Sequence, residues 1–120
     1  MARILLADDD AATRDLVKRA LVGQGHTVHV TQDGNEALEQ IKEGGVPFDL
    51  LVSDVDMPLL DGLTLAERAC SLQPNIRVLM MSGFSDQLDR AKALMGSKVS
   101  VISKPFSLDQ IRESVRQLFS

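Results

Sequence analysis

The chain has 120 residues, 44% hydrophobic and 25% charged, which is the make-up of one folded globular domain with no room for a second. Its 17 acidic residues against 13 basic ones give a formal charge of -4, so no basic surface for nucleic acid is expected, and the absence of Trp and Tyr removes the rings on which single strands stack. No apolar run approaches a membrane span, Asp8-Asp9-Asp10 stands where a signal peptide needs an apolar core, and the lone Cys70 excludes an internal disulfide; a cytoplasmic protein without membrane contact is expected.

Along the chain, short apolar runs alternate with helical periodicities. Arg3-Ile4-Leu5-Leu6-Ala7 predicts a buried strand ending in the acidic triplet, whose last member is placed to cap a helix over about residues 11–23. Leu16, Val17, Ala20 and Leu21 face inward there, and Gly23 and Gly25 are stop signals. Thr27 to Thr31 predicts the second strand, and Asp33-Gly34 opens a second helix with Ala37, Leu38 and Ile41 inward before Gly44-Gly45. Leu50-Leu51-Val52 lacks polar alternation, as a strand buried on both faces requires; Asp54 and Asp56 follow, and Met57-Pro58 with Asp61-Gly62 turns the chain out. A third helix sets Leu63, Ala66, Ala69, Cys70 and Leu72 on one side and closes at Pro74. The fourth strand, Ile76 to Met81, ends at Ser82-Gly83, and Ser85-Asp86 starts a short helix through Leu88, Ala91 and Leu94 that Gly96 stops. Val99 to Ile102 forms the fifth strand, broken by Ser103-Lys104-Pro105, whose X-Pro bond is a candidate for cis. Ser107 and Gln110 have the spacing of a capping box, with Leu108, Ile111, Val115 and Leu118 as the inward stripe of the last helix.

Five strand-helix alternations with short connections specify a parallel sheet covered on both faces. The expected fold is a flavodoxin-like three-layer α/β sandwich, five strands in the order 2-1-3-4-5 with five helices, as one domain over residues 1–120. Such sheets hold their chemistry beyond the carboxyl ends of the strands at the switch point, here between strands one and three. Asp8, Asp9, Asp54, Ser82 and Lys104 all fall on that edge. Taken singly, each has a plain structural explanation: caps for the aspartates, a loop residue, a surface charge. Their coincidence favours a site. Crowded carboxylates repel, one lysine offsets part of the charge, and oxygen-only donors without paired His or Cys point to a hard divalent cation, Mg²⁺. A phosphoryl group on Asp54 would then have the cation, the Lys104 ammonium and the Ser82 hydroxyl around its oxygens.

Four pieces of the sequence match one family: Ile4-Leu5-Leu6-Ala7-Asp8-Asp9-Asp10; Ser53-Asp54-Val55-Asp56-Met57-Pro58 with Asp61-Gly62; Met81-Ser82-Gly83; and Lys104-Pro105-Phe106. Over essentially its whole length the chain resembles the receiver domains of two-component response regulators. The resemblance implies that Asp54 accepts phosphate from a phosphohistidine on a histidine kinase or phosphotransfer protein. It further implies that Asp9, Asp54 and the backbone carbonyl of Asp56 ligate Mg²⁺ with Asp8 assisting through water. Ser82 and Lys104 would bind the phosphoryl oxygens and pass the change to the face of helix four, strand five and helix five, where a downstream protein target would dock. Such a domain catalyses only its own phosphorylation and dephosphorylation. Within the family, the Gly83-Phe84 pair and the overall run resemble short, single-domain alphaproteobacterial regulators of cell-cycle proteolysis.

The chain also departs from the family pattern. Val101 stands where receivers often carry a ring that turns inward on activation, and Phe84, two residues beyond Ser82, is expected to screen the acyl phosphate from water. Asp56 adds a carboxylate near the attacking water. Kinase pairing is expected to lie in exposed residues of the first helix such as Arg14 and Lys18. Two other classes fit part of the pattern. Asp54-Val55-Asp56 resembles the nucleophile and acid pair of haloacid-dehalogenase-like phosphatases, although the order of the remaining carboxylates is reversed, and a pseudo-receiver would bind partners without phosphorylation. His26 and His29, away from the strand-end edge, read as structural or exposed. Met57, Met80, Met81 and Met95 read as gap-fillers, and Cys70 as a bystander.

Overall fold

The computed structural model describes residues 1–119. Five strands, β1 (Arg3–Ala7), β2 (Thr27–Thr31), β3 (Leu50–Asp54), β4 (Arg77–Ser82) and β5 (Val99–Ser103), alternate with α1 (Ala11–Gly23), α2 (Gly34–Lys42), α3 (Gly62–Leu72), α4 (Ser85–Met95) and α5 (Leu108–Leu118). All pairings are parallel and the order is β2-β1-β3-β4-β5, as the alternation requires. β3 is buried at all five positions, which is why its sequence shows no period of two. β4 and β5 each run one residue beyond their apolar stretch, so Ser82 and Ser103 close the sheet as a registered pair.

The sheet separates two apolar layers. Leu5, Leu51, Val78 and Met80 pack with α2, α3 and α4 on one face, while Ile4, Leu6, Leu50, Val52, Leu79 and Met81 pack with α1 and α5 on the other. The helix starts follow their capping chemistry. Asp10, Asp33 and Asp61 accept backbone N–H groups at the starts of α1, α2 and α3, and Ser107 and Gln110 complete the capping box of α5. The fourth helix starts at Ser85 as expected, but its cap position is held by Phe84, whose side chain makes no capping bond. The inward face of α3 differs from expectation, with Leu65 fully buried and Leu72 49% exposed, because the helix turns its Leu65–Ala66 side to the sheet. The Lys104-Pro105 peptide is cis.

Two close approaches fix the β3–α3 loop. A Cβ on Gly62 would lie 2.0 Å from the Asp54 carbonyl oxygen, and one on Gly34 would lie 2.2 Å from that of Leu60, so both helices begin on residues that bring bare backbone against the loop. Between these points Leu59 adopts φ 71° and is 77% exposed.

Candidate functional site

The carboxyl ends of β1, β3, β4 and β5 deliver the polar residues to one place. Of the acidic triplet after β1, Asp10 is used as a cap, its carboxylate accepting Ala12 N–H at 3.4 Å and the Thr13 hydroxyl at 2.7 Å. This leaves Asp8 and Asp9 for the switch point. Their carboxylate oxygens and one of Asp54 lie within 4.8 Å of one another. Asp8 is fully buried, Asp54 nearly so, and Asp9 open to solvent.

Lys104 joins the two buried carboxylates. Its Nζ donates to Asp8 Oδ2 at 3.0 Å and to Asp54 Oδ2 at 2.7 Å. The lysine is aimed from the main chain, because Lys104 N–H donates to the Ser82 carbonyl at 2.8 Å, continuing the β4–β5 ladder past its last registered pair. The remaining oxygens are also engaged: Asp8 Oδ1 accepts Asp10 N–H at 2.9 Å, and Asp54 Oδ1 accepts Asp56 N–H at 3.1 Å. Burial pushes the Asp8 carboxyl above its ordinary 3.8, against the pull of the Asp10 N–H and the Lys104 ammonium. Burial opposes the Lys104 charge, but the bonds to Asp54 and Asp8 outweigh it and hold the ammonium above its ordinary 10.5. Fully ionised, three carboxylates facing one ammonium leave two negative charges unmatched, in an all-oxygen donor set. That is the charge and hardness a divalent cation such as Mg²⁺ balances.

Asp56 sits differently from the other aspartates. Its carboxylate is exposed and lines a cleft of about 270 Å³ between α3 and α4, with Asp61, Glu67, Gln87 and Arg90. Only its backbone faces Asp54. Ser82 is buried at the end of β4, where its hydroxyl donates to Gln87 Oε1 at 2.5 Å and accepts Phe84 N–H at 3.0 Å. The Phe84 side chain is 62% exposed, and the contact it makes with Ser82 is through its backbone. Two residues that sequence reasoning missed in this role come with the geometry. One is Gln87. The other is Arg14, expected as an exposed pairing residue, which is half-buried and donates from its guanidinium to the Asp8 carbonyl at 2.9 Å. Their identities gave no warning, since polar residues one turn into a helix usually face solvent.

A groove of about 410 Å³, lined by Thr13, Leu16, Gly83, Lys104, Pro105 and Phe106, opens beside the lysine between α1 and the start of α5. His26 and His29 lie far from it in role: His26 Nδ1 accepts Ala2 N–H at 3.0 Å, and His29 lies 3.2 Å from the Arg3 guanidinium. Among the described residues no helix is long and apolar enough to cross a membrane.

The family model for the response regulator receiver domain matches residues 4–116. The chain belongs to this family. As a receiver domain it is 33% identical over 118 residues to the response regulator receiver protein CpdR of Brucella abortus (strain 2308), covering 98% of this chain and 97% of that protein. It is 37% identical over 117 residues to the sensor kinase CckA of the same strain, where it spans only 12% of the relative's length. The crystal structure of the receiver domain from hybrid histidine kinase CckA superposes with a TM-score of 0.83 at 32% identity, over 98% of this chain and 99% of that one. The response regulator protein TrrA of Thermotoga maritima, solved in complex with Mg²⁺-BeF, gives a TM-score of 0.82 at 27% identity, over 98% of this chain and 99% of that one. The receiver domain is thus a module of two-component signalling, a class that works as a switch rather than as a conventional enzyme, and receiver domains pair with histidine kinases and phosphotransfer proteins.

Proposed function

We propose that this receiver domain accepts a phosphoryl group on Asp54 from a phosphohistidine of a histidine kinase or phosphotransfer protein and so switches its contacts with a downstream protein. The observation that carries the reading is the bridge of Lys104 between Asp8 and Asp54, with Asp9 alongside: a nucleophilic carboxylate, a fixed cation and a further acidic pair at one strand-end edge. An Asp54 carboxylate oxygen forms the new bond to phosphorus while the P–N bond of the donor breaks and its imidazole leaves. Lys104 exchanges Asp54 Oδ2 for a phosphoryl oxygen, and the Ser82 hydroxyl donates to another. Asp9, Asp54 and the Asp56 carbonyl are the proposed ligands of Mg²⁺, with Asp8 holding a ligated water; when bound, the ion neutralises the charge that gathers on the transferring group. The groove beside Lys104 supports docking of a protein donor, since it leads to the reactive edge and is walled by Leu16, Pro105 and Phe106. The acidic balance of the chain and its lack of Trp and Tyr support an output through a protein contact rather than through nucleic acid, and a cytoplasmic site of action belongs to the same proposal.

The test is incorporation of phosphate from acetyl phosphate. It should require Mg²⁺ and vanish in Asp54→Ala, and an Asp54→Ala protein labelled as well as wild type would end the assignment. Phe84→Ala should shorten the lifetime of the acyl phosphate several-fold, and an unaltered lifetime removes the ring from the screen proposed for it.

A further inference from the structure

We propose that Gln87 is a positioning residue that holds the Ser82 hydroxyl away from the phosphoryl group in the unmodified domain, so that phosphorylation, by breaking this bond, loosens the first turn of α4. The inference rests on the role of Ser82 proposed above.

Ser82 is 1% exposed and has a single hydroxyl proton to give. That proton goes to Gln87 Oε1 at 2.5 Å, while the same hydroxyl oxygen accepts Phe84 N–H at 3.0 Å. Phe84 is the cap residue of α4 and has no polar side chain, and Gln87 is the third residue of the helix. In an ordinary capping box the third residue reaches back to the cap N–H. Here Ser82 stands between them: it takes the cap N–H itself and hands its proton to the third residue. The start of α4 is therefore closed by the same hydroxyl that the phosphoryl group needs.

A phosphoryl oxygen is a charged and stronger acceptor than a side-chain amide, and Ser82 cannot donate to both. Turning the hydroxyl inward deprives Gln87 Oε1 of its donor and Phe84 N–H of its acceptor in one movement, leaving orphan groups at the helix start. The freed Gln87 side chain has the α3–α4 cleft of about 270 Å³ that it already lines. No aromatic ring on β5 is required; Val101 packs against the apolar layer beneath α4 and has no ring to turn.

Gln87→Met keeps length and helix propensity and removes the acceptor. In the full chain, beryllofluoride with Mg²⁺ serves as the phosphoryl probe, read by calorimetric affinity and by amide exchange at Phe84. The Met variant should bind beryllofluoride roughly two- to tenfold more tightly than wild type, the size of one neutral hydrogen bond. A variant that was merely damaged would bind more weakly. In wild type, the probe should speed exchange at Phe84, and in Ser82→Ala that exchange should be fast without it. Equal or weaker affinity in Gln87→Met overturns the latch, as does unchanged Phe84 exchange when wild type binds the probe. Failure of wild type and variant alike to bind overturns the phosphoacceptor reading and the latch with it.

Discussion

Lys104 sets the resting state of the site by bridging two carboxylates that would otherwise repel, and its ammonium stays charged because the bonds it makes exceed what its burial costs. The smallest residue nearby is as constrained as the largest. At position 62 any side chain meets the Asp54 carbonyl and the Met80 methyl, so Gly62→Ala should destabilise the domain by about 1–3 kcal/mol in urea unfolding and displace the acceptor strand. Leu59 carries the opposite expectation: its left-handed backbone crowds Cβ against the carbonyl with no compensating bond from an apolar side chain, whereas the short Asn amide can bond locally, so Leu59→Asn should raise stability by about 1 kcal/mol. His26 gives the pH dependence outside the site. Burial and the nearby N-terminal ammonium hold its pKa below the ordinary 6.5, and its Nδ1 must stay unprotonated to accept Ala2 N–H. The unfolded chain therefore binds the His26 proton more readily than the folded one, and stability falls as pH drops from 6.5 through the folded value. Melting temperature should decline across that window, and His26→Gln should flatten the decline.

Among the elements, α5 is fixed by local chemistry and α4 by its neighbours. Ser107→Ala should cost about 1 kcal/mol of stability by removing the capping box, without altering phosphate uptake. The same contrast explains how far the sequence could be read. Strand and helix spans follow from apolar periodicity and from side-chain caps such as Asp33 and Ser107, which act within four residues and are visible in a linear string. The gathering of polar residues at one edge was also legible, because topology alone places Asp8, Asp54, Ser82 and Lys104 at strand ends. What stayed hidden depends on directions that only the folded backbone sets. Arg14 curls back to the Asp8 carbonyl, Gln87 reaches Ser82, and α3 presents Leu65 where the pattern suggested Leu72.

For the molecule as a whole, a buried sheet with an apolar layer on each face makes the interior intolerant of voids. Leu79, fully buried in β4, should cost about 2–5 kcal/mol when cut to alanine. The unmatched charge at the edge should in turn make the folded state sensitive to metal. At a Mg²⁺ concentration of about 100 times Kd the domain should gain about 2.7 kcal/mol, and EDTA should abolish the gain in wild type while leaving Asp9→Ala unmoved. The pinning of the β3–α3 loop by two glycines has a practical corollary. Since backbone abuts backbone at Gly34 and Gly62, the segment has freedom at its outward tip, so a fluorophore attached at Leu59 would sit in solvent and leave these contacts alone, whereas the same graft at Gly62 would drive into the main chain of Asp54.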